Sequence, residues 1–521
     1  MNHHWNPMTN WKKILLSCSV WLIGIVMTGC AMVGPDFETP EAPVADAYLQ
    51  REDDAISEEP ADTEAWWEVF EDPILNHLVR MAYDQNLSLR IAGLRVLEAR
   101  AQLGIAAGRL YPQQQEINAE YAWATREGPG AFSSYSAGFD VAWELDFWGK
   151  FRRGIQSADA NLLASIASYN DVLVTLTAEV ARSYILIRAL EERIRVARKN
   201  VELQERSLQM VEARFKFGAV TELDVQQAKT LLYSTQALVP QLQLSLNQTR
   251  HALAILLGLP PEDIAPLLGD PGSLPNIPTQ VAVGMPAELL RRRPDIRQAE
   301  LLAASQGARI GIARAEMLPS FSLFGNLGWS GTDAANASLT DPSFGRAAGP
   351  AFSWPIFNYG RLRNQVRVED ARFEQALIGY QNTVLNAARE VEDAMTGFFR
   401  SRQEADNLEK SVEAAKRSTE ISMLQYKEGL ADYNRVLDSN RSLAAQWDRY
   451  LQTQGNVAIN LIALYKALGG GWELSRGQDF VPVDVRNKME QRTNWGNLLE
   501  ISNEAQLPEV PEKGLWRNPS W

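Results

Sequence analysis

KFRRGIQSADANLLASIASYNDVLVTLTAEVARSYILIRALEERIRVARKNVELQERSLQMVEARFKF, residues 150–217, decides the fold. From Lys150 to Phe217 there is no Pro and a single Gly, Gly154. As one helix rising about 1.5 Å per residue, the stretch spans roughly 100 Å, far longer than a globular core can cover. Leu173, Val180, Ile187, Ile194, Val201, Leu208 and Phe215 recur every seventh residue. Such a heptad seam marks a coiled coil. After a Gly-containing turn the seam resumes at Val225, Leu232, Val239, Leu246 and Leu253, so the long helix pairs antiparallel with its successor.

The whole unit is then repeated. A shift of 211 places Trp143 on Trp354, Gly149 on Gly360, Tyr169 on Tyr380, Gly218 on Gly429 and Leu257-Gly258 on Leu468-Gly469. The second seam has its copy at Val436, Leu443, Tyr450, Val457 and Leu464. Upstream the shift is 207, with Leu110-Tyr111-Pro112 falling on Met317-Leu318-Pro319. Each copy therefore reads as a helix (Leu75 to Leu110, Ala287 to Met317), two alternating segments, a long helix and a shorter one. The copies occupy 66–258 and 287–469, with long helices at 149–217 and 360–428 and shorter ones at 221–257 and 432–468. A Pro-rich linker, 259–286, joins them. Segments 30–65 and 470–521 read as polar and extended. Pro240 interrupts the first short helix, whereas its counterpart is Leu451, so a kink is expected in one hairpin only.

The alternating segments are strands. Ile117, Ala119, Tyr121 and Trp123 alternate with Glu116, Asn118 and Glu120; Phe139, Val141, Trp143 and Leu145 alternate with Asp140 and Glu144. Phe321, Leu323, Gly325, Leu327 and Trp329 repeat the pattern, and a fourth strand is read at 347–357. The others are read at about 113–125, 134–146 and 320–331. Period two with one apolar face, about ten residues long and with aromatics near the ends (Trp148, Trp329, Trp354, Phe357, Tyr359), suits strands crossing a bilayer. Four strands cannot close a barrel, and an open edge cannot sit in hydrocarbon, so several chains must share one barrel. Three chains would supply twelve strands around a conduit. Periodicity alone leaves open a solvent-exposed coiled-coil stalk that conducts nothing.

The N-terminus supplies the compartment. Lys12 and Lys13 precede an apolar run, Ile14 to Met27, and Met27-Thr28-Gly29-Cys30 reads as a lipoprotein cleavage site. Residues 1–29 are the expected signal peptide and Cys30 the lipid-bearing residue. Cys18, the other cysteine, leaves with the leader, so no internal disulfide forms. The full chain carries a formal charge of −13, and loss of the two leader lysines makes it −15. That balance argues against nucleic acid as a partner. His77 and His251 lack neighbours of metal-ligand spacing, and no phosphate loop, CxxC or serine triad pattern occurs. Neither an enzyme, a metal site nor a cofactor beyond the covalent lipid is expected.

Val33-Gly34-Pro35-Asp36-Phe37, the string Trp66-Trp67-Glu68-Val69-Phe70-Glu71-Asp72-Pro73-Ile74-Leu75, Asn86-Leu87-Ser88-Leu89 and the doubled Gly turns together resemble the TolC-like outer-membrane factors, in their lipoprotein branch with NodT and OprM. The resemblance runs from Cys30 to about Trp472. It implies a mainly α chain with a small β part: a periplasmic α-barrel of long antiparallel coiled coils continuous with a shared transmembrane β-barrel, assembled as a homotrimer. It further implies a passive exit duct docked through a periplasmic adaptor onto an inner-membrane pump of the resistance-nodulation-division class. A type I protein-secretion duct shares this fold and stands as the alternative. Family members dock the adaptor at turns that match Gly218, Ala219, Val220, Thr221 and Gly429, Leu430, Ala431, Asp432. The family's periplasmic gate matches Asp224 with Tyr426 and Lys427, and Asp438 with Arg441.

Overall fold

A computed structural model describes residues 32–41, 45, 47–49, 56–57, 63–125, 131–261, 264–278, 281–282, 292–333 and 343–499. Helices α1 (Pro73–Gln85) and α2 (Leu87–Gly108) lead into strands β1 (Gln114–Thr125) and β2 (Ala131–Glu144). The long helix α3 (Lys150–Lys216) and its antiparallel partner α4 (Glu222–Leu256) complete the first copy. The second copy comprises α5 (Pro294–Ala315), β3 (Ser320–Asp333), β4 (Ser343–Ser353), α6 (Arg361–Lys427) and α7 (Tyr433–Ala467); α8 (Val483–Arg492) follows. The two long helices have 67 residues each and the two shorter ones 35 each, all at the 211-residue offset.

Glycine sets the corners. Gly149 and Gly360 adopt positive φ (76° and 84°), turning each strand into its long helix. At the far end Gly218 donates to Phe215 O (2.9 Å) and Ala219 to Arg214 O (2.9 Å); Gly429 and Leu430 bond Tyr426 O and Gln425 O in the same way. This is the Schellman closure, which satisfies the last helical carbonyls through a left-handed residue.

β1, β2, β3 and β4 form one antiparallel sheet in sequence order, so β2 and β3 join the two copies. Their register sets Val141 opposite Gly325 and Phe139 opposite Leu327. One face carries Ile117, Tyr121, Trp123, Leu323, Leu327, Trp329 and Phe344, all exposed. The other carries Glu116, Asp140 and Asn326 in a single row. Aromatic contacts collect at two levels on the apolar face: Phe321 with Phe147 and Phe352 near the helices, and Trp329 with Phe344 eight residues further along β3. At about 3.4 Å per residue and a tilt near 40°, the two levels lie roughly 20 Å apart, close to the height of a membrane barrel's apolar band. β1 and β4 have no strand on their outer edges among the described residues. No helix among the described residues is long and apolar enough to cross a membrane.

Several boundaries differ from the sequence reading. β4 lies at Ser343–Ser353, earlier than 347–357; Phe357 and Tyr359 stand beyond it, fully exposed. The helix read as Leu75 to Leu110 is broken at Asn86, whose ψ of 126° is extended. Its Oδ1 accepts from Leu89 N (2.9 Å), capping α2, while its Nδ2 donates to Leu256 O (2.9 Å), so a tertiary contact fixes the break. The seam of α3 holds through Leu173, Val180, Ile187 and Ile194 and then shifts. Below Ile194 the buried positions are Val196, Ala197, Asn200, Gln204, Ser207 and Val211, and Phe215 is exposed. A 3.6-residue helix drifts about 20° per heptad against a 3.5-residue pattern, and over 67 residues another stripe comes to face the partner. α4 runs through Pro240 as a single helix. The stretch read as a linker holds buried Ile264, Leu268 and Val281 and a short parallel pairing, Val281 with Ile56. In the tail, Met489 and Leu499 pack with Leu97 of α2.

At the middle of the long helices a buried charge network binds this linker down. Arg188 bonds Glu191 (2.9 Å), Tyr184 Oη (3.1 Å), Leu268 O (2.6 Å) and Asp270 O (3.0 Å); Arg250 also reaches Glu191 (2.9 Å). Tyr184 donates to Asp72 (2.6 Å), the N-cap of α1, and burial together with that bond pushes its hydroxyl up to about 12. The counterparts 211 residues on are Met395, Phe399 and Arg402, so only the first copy has the network.

Two measurements follow from this geometry. Glu191→Leu leaves the buried Arg188 and the half-buried Arg250 guanidinium without their carboxylate; chemical denaturation is expected to show a loss of about 3–5 kcal/mol. The repeat also fixes how β4 would meet β1 of a second chain. Val141 opposite Gln115 corresponds to Phe352 opposite Phe321, and the Val141–Gly325 pair joining the copies then corresponds to Phe352 opposite Ala119 of the partner subunit. The double variant Phe352→Cys, Ala119→Cys is expected to yield disulfide-linked oligomers under mild oxidation, whereas Phe352→Cys with Asn118→Cys, on the opposite face, is not.

Candidate functional site

Two places concentrate the residues singled out by sequence: the far turns of the helical hairpins and the N-terminal segment beside the sheet. At the turns, Gly218, Ala219 and Thr221 of the first hairpin and Gly429 and Leu430 of the second are exposed, with Val220 and Ala431 half-buried. Thr221 caps α4: its backbone N–H (2.9 Å) and its hydroxyl (2.8 Å) both donate to Asp224 Oδ2, closing a capping box. Asp432 holds the corresponding N-cap of α7 without a side-chain cap bond.

Asp224 is thereby committed to its own helix. Among the described residues no hydrogen bond joins it to Tyr426 or Lys427. Tyr426 is buried at the end of α6 in a cluster with Val211, Val225, Leu231, Tyr433, Val436 and Leu437, which draws on both hairpins. Its ring lies edge-on to Tyr433 (5.5 Å), and Tyr433 Oη meets Ser207 Oγ of α3 at 3.2 Å. Burial raises the pKa of the Tyr426 hydroxyl, and the nearby Arg214 charge partly offsets this. The Arg214 guanidinium sits 4.3 Å from the centre of the Tyr426 ring and donates to Lys427 O (2.8 Å). Asp438 and Arg441 are exposed, one turn apart on α7, at 3.9 Å. An exposed pair of this kind contributes under about 1 kcal/mol, which leaves both charges available to the space they face.

Arg214 escaped the sequence reading. It falls between seam positions, its partners lie more than 200 residues away, and no local motif marks it. A weak signal exists in the repeat itself, because position 425 holds Gln where the first copy holds Arg.

Cys30 lies outside the described residues. Two residues on, Met32 packs on Gly149, where a Cβ would approach Met32 Cγ to 2.6 Å. Val33 N donates to Trp148 O (3.1 Å). Arg153, buried in α3, donates to Val33 O (3.2 Å) and Gly34 O (3.2 Å) and pairs with Asp36 (2.9 Å). Gly34 lies against Gly311 of α5 so closely that a Cβ would stand 2.5 Å from Gly311 Cα. The segment then descends along the second copy: Thr39 donates to Glu300 (2.7 Å), and Leu49 N to Glu392 (2.9 Å). It reaches Trp66, buried and stacked on Tyr465 at 5.5 Å beside Gly470 and Gly471. The strap therefore begins, at Met32 and Val33, level with the strand-to-helix corner.

Comparison with known proteins agrees with this architecture. The model of the family described as outer membrane efflux protein matches residues 78–259 and 285–470. The chain is 32% identical over 424 residues to the pyoverdine export outer membrane protein OpmQ of Pseudomonas putida, covering 78% of this chain and 88% of that one. It is 28% identical over 470 residues to the probable outer membrane lipoprotein SilC of Salmonella typhimurium, covering 88% and 99%. The solved structure of the outer-membrane channel OprN superposes with a TM-score of 0.77 at 33% identity, covering 85% of this chain and 99% of that one. The chain belongs to the outer membrane efflux protein family. It is the outer-membrane channel component of an efflux system, seated in the outer membrane and extending into the periplasm.

Arg153→Ala removes the side chain that holds the strap. Amide exchange at Val33 is expected to accelerate more than tenfold while the amides of α3 keep their wild-type rates, as read by hydrogen exchange on purified protein.

Proposed function

We propose that three copies of this chain assemble into a closed conduit, anchored by lipid on Cys30, that passively conducts substrates delivered by an inner-membrane pump and a periplasmic adaptor. The observation that carries this reading is the four-stranded sheet with an exposed apolar face and two open edges, running without a break into helices about 100 Å long. An open edge in hydrocarbon leaves a row of unsatisfied backbone groups, so closure requires further copies. Three sheets give twelve strands, and twelve hairpin-forming helices continue the same wall. Function then resides in a pore and its gate, and no residue is assigned a catalytic or metal-binding role. Among the described residues no three His, Cys, Asp or Glu side chains are grouped as metal ligands would be.

In this reading the hairpin tips form the periplasmic aperture and the adaptor's docking surface. The turns at Gly218–Thr221 and Gly429–Asp432 meet the adaptor. Asp438 and Arg441, exposed on α7, line the opening; Asp224, Tyr426 and Lys427 stand at the same tip, Asp224 bonded to Thr221 of its own helix and Tyr426 buried between the hairpins. Support comes from the tip cluster, which buries Tyr426 between the two hairpins of one chain. Exposed, weakly paired Asp438 would hold cations and repel anions as a ring of three.

Planar-bilayer conductance of the purified protein tests both parts. Wild type is expected to show a small or flickering conductance, and the double variant Asp224→Ala, Tyr426→Phe a larger, steady one. Equal and large conductance in both would retain the channel and remove this gate; absence of conductance from a folded oligomer would favour a non-conducting stalk.

A further inference from the structure

The two hairpins of one chain touch at their tips through a contact that the repeat does not reproduce. Arg214, two residues before the end of α3, reaches across to α6. There it donates to Lys427 O at 2.8 Å and covers the Tyr426 ring at 4.3 Å. Tyr426 leans edge-on against Tyr433, whose hydroxyl returns to Ser207 of α3 at 3.2 Å. The circuit Arg214–Tyr426–Tyr433–Ser207 thus starts and ends on α3 and encloses the tip of the second hairpin. A guanidinium over an aromatic face that also donates to a helix-terminal carbonyl combines cation–π attraction with complementarity to the negative end of the helix.

Pseudo-symmetry asks what stands at the other junction, where the second hairpin of one chain would face the first hairpin of the next. The counterpart of Arg214 is Gln425, that of Tyr426 is the exposed Phe215, and that of Tyr433 is Glu222. The counterpart positions therefore supply no guanidinium, no phenol and no tyrosine hydroxyl to a junction between chains.

We infer that Arg214 is the positioning residue that ties the two hairpins of each chain into one block at the periplasmic tip, so that the aperture widens first at the junctions between chains. The inference rests on the gate reading given above and adds to it a residue and a place of opening.

The tie and the gate are read separately. Hydrogen exchange of the full-length oligomer is compared for wild type, Arg214→Gln and Arg214→Lys. Arg214→Gln is expected to speed exchange about tenfold or more over residues 422–437 and to leave the middle of α3 and the β-sheet unchanged. Arg214→Lys keeps the charge without the planar fork and is expected to fall between. The same proteins are recorded in planar bilayers, where Arg214→Gln is expected to raise the open-state dwell several-fold. Unchanged exchange in Arg214→Gln overturns the tie. Faster exchange with unchanged conductance overturns its part in opening, even where Asp224→Ala, Tyr426→Phe still opens the channel. If that double variant fails to open while Arg214→Gln alters exchange and dwell, the gate residues are reassigned and the tie stands.

Discussion

Pairing between β2 and β3 is the interaction on which the rest of the molecule depends. It is the only strand contact between the two copies among the described residues, and its register places Trp143 opposite Leu323 and Glu144 opposite Ser322, at the base of the sheet. Everything below inherits that alignment. Leu145 N continues the pairing to Phe321 O at 2.8 Å, and Trp148 Nε1 donates to Pro319 O at 2.7 Å. Gly149 then starts α3 alongside α5. A slip of one residue would turn every apolar side chain to the opposite face of the sheet. It would also carry α3 out of contact with α5, because helix and strand are joined by a corner of only a few residues.

Long helices need this external alignment because they have little of their own to fix it. Within each hairpin a heptad seam tolerates sliding by a whole repeat, since one apolar layer resembles the next. The molecule limits sliding with individual polar contacts: Ser422 with Ser439 (2.7 Å) inside the second hairpin, Arg193 with Asp448 (2.8 Å) between the hairpins, and the buried Arg188 network at the middle. Each is a local cost in desolvation, and each distinguishes one register from its neighbours.

Much of this was legible in the sequence because the chain repeats and because glycine marks its corners. The offset of 211 predicted equal long helices, and both have 67 residues at that offset. Gly149, Gly218, Gly360 and Gly429 were visible as landmarks, and each has positive φ, a demand that a sequence records directly. Other features leave no such trace. Asn86 breaks a helix because Leu256, far along the chain, offers it a carbonyl. The lower seam of α3 is drawn by Asn200, Gln204 and Ser207, polar residues that no hydrophobic pattern would select. The fourth strand was misplaced because Trp354, Ile356 and Phe357 extend its apolar run beyond Ser353. At the tip, the acid marked by resemblance bonds to Thr221, whereas the contact across the hairpins is made by Arg214.

The N-terminal strap has a consequence for the order of events. Its residues are synthesised first, yet its contacts are with α3, α5 and α6, and the Leu49–Glu392 bond spans 343 positions of sequence. Ordering it closes loops of up to 343 residues, which is entropically worthwhile only after the elements it crosses are already in place. Docking of the strap is therefore expected to follow the packing of the helices it crosses, and protection of the Val33 amide would report that it has docked.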